Sequence, residues 1–377
     1  NFSLREAETV KKITLSNKVN YWTGDHGKKF EEEFSEWVGV NYSIALANGT
    51  LALELALKSL NLSPKDEVIV TPRSFIASVT SVIGTGSKPV FADVNLDTGN
   101  IESENIKKVI TPNTKAIICV HLGGRPCDMD PIMKLARKNK IYVIEDCAQA
   151  HGASYKGRNV GSIGDIGAWS FCQDKIMTTL GEGGMVTTNN KKLWKYMWAY
   201  KDHGKSYDAV YKKNHPEGFR WLHESFGSNY RMTEIQAAIG RIQLEKMQRW
   251  TALRTRNKNI LEKVFKKHSR LVRVFETPSD MVNANYKVYA FINDHHLKKS
   301  WTRDKIIKAI NATGVPCFSG SCSEIYKEKA FKDSPFQPKE DLINTKEIGK
   351  TSLMFLCHPS LTSNDMNWCA KNIDSIL

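Results

Sequence analysis

A chain of 377 residues with 41% hydrophobic content is long enough to bury a large core plus a smaller one, and too long to be a peptide-sized binding module. Its 25% charged residues, 24 Gly and 12 Pro are those of an ordinary globular protein, without the bias that marks disorder or low complexity. The net charge of +14, from 54 basic and 40 acidic residues, suits nucleic acid, an acidic surface or phosphorylated small molecules; the lysines are spread along the chain, and a solvated surface accounts for most of them.

No apolar stretch approaches the roughly 20 residues needed to span a bilayer. Residues 1–19 are polar, so a cytoplasmic protein without a membrane segment is expected. The cysteines at 119, 127, 147, 172, 317, 322, 357 and 369 form no CxxC pair and read as reduced thiols, with no metal site indicated.

From about residue 30 to 190, short apolar runs alternate with amphipathic ones, which argues for βα units and an α/β fold with a mostly parallel sheet. Strands are expected at 42–47, 67–71, 89–94, 116–121, 141–145, 167–171 and 185–188, with helices at 50–60, 76–83 and 130–138 between them. One long helix is expected over about 232–267, where Ile235, Ala238, Ile239, Ile242, Leu244 and Met247 form an apolar stripe that fades into charge. Strands at 271–275 and 286–292 and helices at 302–312 and from about 362 then suggest a smaller α/β unit. The expected division is a large domain over 1–250 and a small one over 251–377.

Ligands of parallel sheets bind at the carboxyl ends of the strands, so the residues just after each expected strand carry the chemistry. Asn48-Gly49-Thr50 opens a helix, where a glycine lets the backbone approach an anion and the first amides hold it; the same tripeptide is also an ordinary turn and cap. Glu145-Asp146 ends an apolar strand, and a carboxylate there needs a cationic partner or a capping role. The run Ser170-Phe171-Cys172-Gln173-Asp174-Lys175 leads into Gly181-Glu182-Gly183-Gly184. A lysine there is free to enter a cleft, where desolvation or a neighbouring cation would lower its pKa and let the neutral amine form a Schiff base; a surface loop is the alternative.

These segments occur in one order with Pro72-Arg73-Ser74-Phe75 and Gly227-Ser228-Asn229-Tyr230-Arg231-Met232-Thr233-Glu234. The set resembles the DegT/DnrJ/EryC1/StrS aminotransferase family, from about Trp22 to Pro359. The resemblance implies a fold-type-I, aspartate-aminotransferase-like enzyme that uses pyridoxal 5′-phosphate in the biosynthesis of amino sugars for surface polysaccharides such as O-antigen. It implies that Lys175 bonds the cofactor and shuttles protons, and that Asp146 pairs with the pyridine nitrogen. Gln149 would lie near the ring hydroxyl and Phe75 on the ring face. Gly49, Thr50 and Ser170 would bind the phosphate, with Asn229 reaching it from the other subunit of a homodimer.

The implied reaction takes an amino group from L-glutamate to a nucleotide-linked keto-deoxysugar. A UDP-linked 4-keto-6-deoxy-N-acetylhexosamine is the expected acceptor. A related activity, sugar dehydration, goes with histidine in place of the lysine, and Lys175 argues against it. A non-catalytic regulator that binds nucleic acid would fit the charge, but no helix-turn-helix, zinc-finger or RNP-like motif supports it. His151 and His358 fall in segments that resemble parts of the substrate cleft, and residues 316–324 lie where relatives shape the pocket. Leu180 sits where many relatives have a small residue, or none, before the glycine-rich turn; Gly124-Arg125-Pro126 fits the Gly-x-Pro segment common in the family, and its variable position places a guanidinium near the mouth of the sheet, to grip an anion or to lie on the surface.

Overall fold

Apolar runs that lack strict alternation are stable as strands only when both faces are covered, and the first half of the chain builds such a sheet. In the computed structural model, which describes residues 2–338 and 340–377, its strands are β1 Tyr42–Leu46, β2 Glu67–Val70, β3 Lys88–Phe91, β4 Thr114–Val120, β5 Tyr142–Asp146, β6 Ile166–Ser170 and β7 Gly184–Thr188. They lie side by side in the order β1-β7-β6-β5-β4-β2-β3. Alternate residues face opposite sides: Val68, Val70, Ile118 and Val120 join one core, and Ile69, Ile117, Cys119 and Val143 the other.

Neighbours from β3 to β6 pair in parallel, whereas β7 runs antiparallel to both β6 and β1. That reversal follows from the β6–β7 connection. It holds no helix that could carry the chain back across the sheet, so the chain returns directly and antiparallel. The connecting loop, which contains Lys175, is thereby held at the carboxyl edge of β6. Ser170 pairs with Gly184 there, and Leu46 pairs with the same glycine from the other side.

Around this sheet pack α1 Leu4–Ser16, α2 His26–Val38, α3 Gly49–Ser59 and α4 Ala77–Gly84, together with later helices. The strands and helices expected between 42 and 188 are present within a few residues. α1 and α2 lie outside the expected alternation. The single helix expected over about 232–267 is two, Glu234–Glu245 and Met247–Lys267, broken at Lys246. No proline or glycine marks the break; the Lys246 ammonium pairs there with the buried Glu6 of α1, a tertiary contact.

The second sheet is antiparallel, with β8 Val272–Arg273, β9 Val288–Ile292, β10 Cys317–Phe318 and β11 Ser352–Phe355 in the order β8-β9-β11-β10. Helices Met247–Lys267, Arg303–Ala312 and Ser363–Ile376 cover it. Between β10 and β11 the chain returns to the first core, where Ile325, Tyr326, Phe331 and Leu342 pack with Phe91 and Val70. That excursion closes one side of the cleft between the two sheets. All eight cysteines are free thiols, and no helix among the described residues is long and apolar enough to cross a membrane.

Glu234 ties the later helices to the start of the chain. Its buried carboxylate accepts the His26 amide at 2.7 Å and the Gly27 amide at 2.9 Å, at the positive end of α2. Glu234→Ala leaves both amides without an acceptor and should cost about 3 kcal/mol of stability, read from urea unfolding of the purified protein. A loss under about 0.5 kcal/mol would show that water replaces the carboxylate at that helix end.

Candidate active site

The carboxyl ends of β1, β2, β5 and β6 open into one cleft of about 1090 Å³, and most of the residues singled out in the sequence line it. The closeness of these segments is set by two glycines. A Cβ on Gly49 would lie 2.5 Å from Cβ of Ser170, and one on Gly184 would lie 2.2 Å from the Asn48 carbonyl oxygen. Either side chain would push the first turn of α3 away from β6.

At that turn Asn48 caps α3, its Oδ1 accepting the Leu51 amide at 2.9 Å. Gly49 and Thr50 then face the cleft opposite Ser170 with the first amides of an 11-residue helix, the arrangement that binds a phosphate group.

Asp146, the last residue of β5, forms the floor. Its Oδ2 accepts Ser78 Oγ at 2.8 Å and its Oδ1 the Ala148 amide at 3.1 Å. Burial raises its carboxyl above the ordinary range, and these hydrogen bonds only partly offset that. A buried acid with no cation in contact is suited to a ligand that brings its own positive charge.

The adjacent Glu145 faces the other side of the sheet, as strand alternation requires. It accepts the amides of Gly161, Ile163 and Gly164 at 2.9, 2.8 and 2.6 Å and pairs with His121 Nε2 at 2.9 Å. His121 Nδ1 in turn accepts the Cys127 amide at 3.0 Å. His121, Glu145 and Cys147 lie close enough to resemble a metal site, but the histidine and carboxylate donor atoms are already occupied by this network. Glu145 is therefore structural.

Lys175 projects into the cleft with its side chain 15% exposed, 3.6 Å from Asp174 Oδ1 and 5.3 Å from the centre of the Tyr286 ring. Burial works against the Asp174 charge, yet the Tyr286 hydroxyl at 2.5 Å and the Lys175 cation hold its carboxyl below the usual range. Gln149 lines the cleft with its Oε1 fixed by the Gly123 amide at 2.8 Å. Phe75 stands at the edge, 67% exposed, as an aromatic face without a packing partner would be.

Leu180 and Gly181 turn the chain back toward β7 with φ of 66° and 113°. The leucine is thus held in the left-handed region that glycine adopts more easily.

Some expected residues lie elsewhere. Asn229 is exposed, bridges to Asp202 and does not line this cleft within the chain. His151 is buried against Trp169 and Phe171, its pKa pushed down to about 3 mainly by burial. His358 bonds Ser360 outside the cleft lining. Arg125 is not on the surface and does not line this cleft: it is 6% exposed, and its Nη1 donates to the Glu276 carbonyl.

The structure adds Ser78, Tyr286, Lys287 and Tyr289 to the wall, along with Phe318, Ser321 and Cys322 from the segment that shapes the pocket in relatives. Ser78 lies one helical turn after Ser74, a spacing that could have suggested a shared face. Tyr286 and Lys287 carry no local signal; they lie just before β9, and the Tyr286 amide donates to the Gly123 carbonyl at 3.0 Å, which sets this stretch against the loop after β4.

Residues 3–374 match the DegT/DnrJ/EryC1/StrS aminotransferase family. The chain belongs to this family. It is an aminotransferase, and its cofactor is pyridoxal 5′-phosphate. A solved aminotransferase from Psychrobacter cryohalolentis is 56% identical, with a TM-score of 0.98 over 100% of this chain and 97% of that one. GDP-perosamine synthase from Caulobacter vibrioides is 36% identical over 94% of this chain and 92% of its own. GDP-perosamine synthase from Escherichia coli O157:H7 is 42% identical over 74% of this chain and 72% of its own.

The residues present fit that cofactor: a helix end for the phosphate, a buried acid with no cation in contact for the ring nitrogen, and a primary amine in the cleft. Asp146 also yields a test with a definite sign. Its folded-state pKa is raised, so without cofactor the stability it contributes is full below the unfolded value of about 4 and is lost as pH rises through the folded value. Cofactor-free Asp146→Asn should therefore melt above the cofactor-free wild type at pH 7.5, with the gap narrowing toward pH 4. The same variant should lose about 100- to 1000-fold in turnover. Equal melting temperatures across this range would refute the burial argument.

Proposed function

We propose that the chain transfers an amino group from L-glutamate to the keto carbon of a deoxyhexose carried on a nucleoside diphosphate, with a UDP-linked 4-keto-6-deoxy-N-acetylhexosamine as the first acceptor to test. The observation that carries this reading is the meeting of Lys175, Asp146 and the N-terminus of α3 in one cleft large enough for a cofactor and a sugar together.

When bound, pyridoxal phosphate supplies an electron sink for the donor and acceptor carbons. Asp146 keeps a proton on the ring nitrogen. Lys175 Nζ takes the proton from the α-carbon of the amino donor and later delivers one to the sugar carbon that receives the amine, which requires a primary amine. The amides of α3 and the Ser170 hydroxyl hold the phosphate, while Phe318, Met354 and Leu356 line the apolar part of the cleft, where they limit the access of water. A GDP-linked keto sugar is the second reading, favoured by the names of the two perosamine synthases.

The active unit in this reading is a homodimer in which Asn229 of each chain reaches the phosphate held by the other. Asn229 is exposed, and the preceding segment presents Phe219, Trp221 and Phe226 to solvent, the last 99% exposed. Exposed aromatics clustered in one segment suit an interface.

The protein with added pyridoxal phosphate should show a visible absorption band that bleaches with L-glutamate and returns with the acceptor. A panel of UDP- and GDP-linked keto sugars then identifies that acceptor by product mass. Lys175→Ala should abolish turnover in a protein of unchanged melting behaviour; normal turnover would remove Lys175 from the chemistry. Inactive Lys175→Ala and impaired Asn229→Ala subunits, mixed equally and allowed to exchange, should regain about a quarter of wild-type sites. No recovery after demonstrated exchange would mean that each chain completes its own site.

A further inference from the structure

Behind the cleft wall, between the two sheets, lies a second cavity of about 40 Å³ whose charged side chains are mostly cationic. Arg73, Arg125, Lys258 and Lys287 line it, and its one carboxylate, Glu262, is paired with Lys258 at 2.8 Å. Arg73 and Arg125 are only 3% and 6% exposed. Each guanidinium rests on an aromatic ring, Arg73 on Tyr289 at 4.9 Å and Arg125 on Phe275 at 5.9 Å. Stacking covers the faces of these groups but leaves the N–H edges to be satisfied.

One edge of each is satisfied by a backbone carbonyl, Arg73 Nη1 by Gly99 at 3.1 Å and Arg125 Nη1 by Glu276. Arg73 Nη2 and Arg125 Nε are buried without an acceptor. Neither arginine, nor Lys287, has a carboxylate at ion-pair distance among the described residues. Burying two guanidinium ions beside an ammonium, with no negative charge in contact, is strongly unfavourable.

We propose that this cavity binds a halide-sized monovalent anion, chloride in practice. The volume corresponds to about three water molecules, enough for a sphere of that size. Water would complete the hydrogen bonds but would leave the charge uncompensated, whereas a spherical anion serves both. A sphere also suits donors from two stacked guanidinium groups that line one cavity, because it imposes no lone-pair directions. The site lies one layer behind the catalytic cleft: Lys287 and Tyr289 line both cavities, and the Tyr289 hydroxyl bonds Ser321 Oγ at 3.0 Å on the cleft side. It is separate from the cofactor positions, so its test does not depend on the acceptor sugar.

Crystals of the pyridoxal-phosphate-loaded protein grown in sodium bromide, measured at the bromine absorption edge, should show an anomalous peak bounded by Arg73 and Arg125. In solution the melting temperature should rise saturably in sodium chloride relative to sodium gluconate at equal ionic strength, by about 2–3 °C at ten times Kd. Arg73→Gln should remove the chloride-specific rise, and Arg125→Gln serves if that variant fails to fold. A bromine map without a peak in this cavity, or identical melting curves in the two salts, overturns the proposal.

Discussion

The Asp146 carboxylate lies at the end of a central strand, covered on both faces, with a serine hydroxyl and one amide as its hydrogen-bond donors among the described residues. An acid in that position weakens the cofactor-free fold and becomes favourable when a cationic ring nitrogen is set against it. Much of the surrounding architecture serves that placement. β5 is flanked in parallel by β4 and β6, so the carboxyl edge of the sheet presents Asp146, Ser170 and the loops that follow on one side. Strand alternation sends the neighbouring Glu145 away from the cleft, into a closed network of amides and His121 that rigidifies the strand end.

A second constraint is the closeness of backbone at the α3 end of the cleft. Gly49 and Gly184 allow α3, β6 and the start of β7 to approach within distances that any side chain would forbid. Because β7 returns antiparallel, the loop carrying Lys175 is pinned at both ends to the same sheet edge. The lysine, the acid and the helix terminus are thus held by one sheet, which gives their relative positions the rigidity that proton transfer between fixed atoms requires.

The second sheet contributes the opposite wall. Tyr286 holds Asp174 beside the lysine, while Lys287 and Tyr289 separate the cleft from a cationic cavity behind it. Lys287 lines both cavities, so one ammonium stands between the cleft and the cationic cavity.

Most of the first sheet was legible because buried parallel strands read as apolar runs and their helices as periodic ones, both local patterns. The break at Lys246 was not, since its partner is Glu6, more than two hundred residues away. The segments holding Lys175, Asp146, Gln149, Ser170, Gly49 and Phe75 could be placed at strand ends, and their ordered combination identified the family. For Arg125 the sequence left the mouth of the sheet and the surface both open, and its burial excludes the surface. The sequence by itself determined which residue types stand at the carboxyl edge, because strand ends and helix starts are set within a few residues of chain. Only the tertiary structure decided which of them meet, which carboxylate faces the cleft, and that Tyr289, Lys287 and Arg73 are brought together, because those contacts join segments that no local pattern connects.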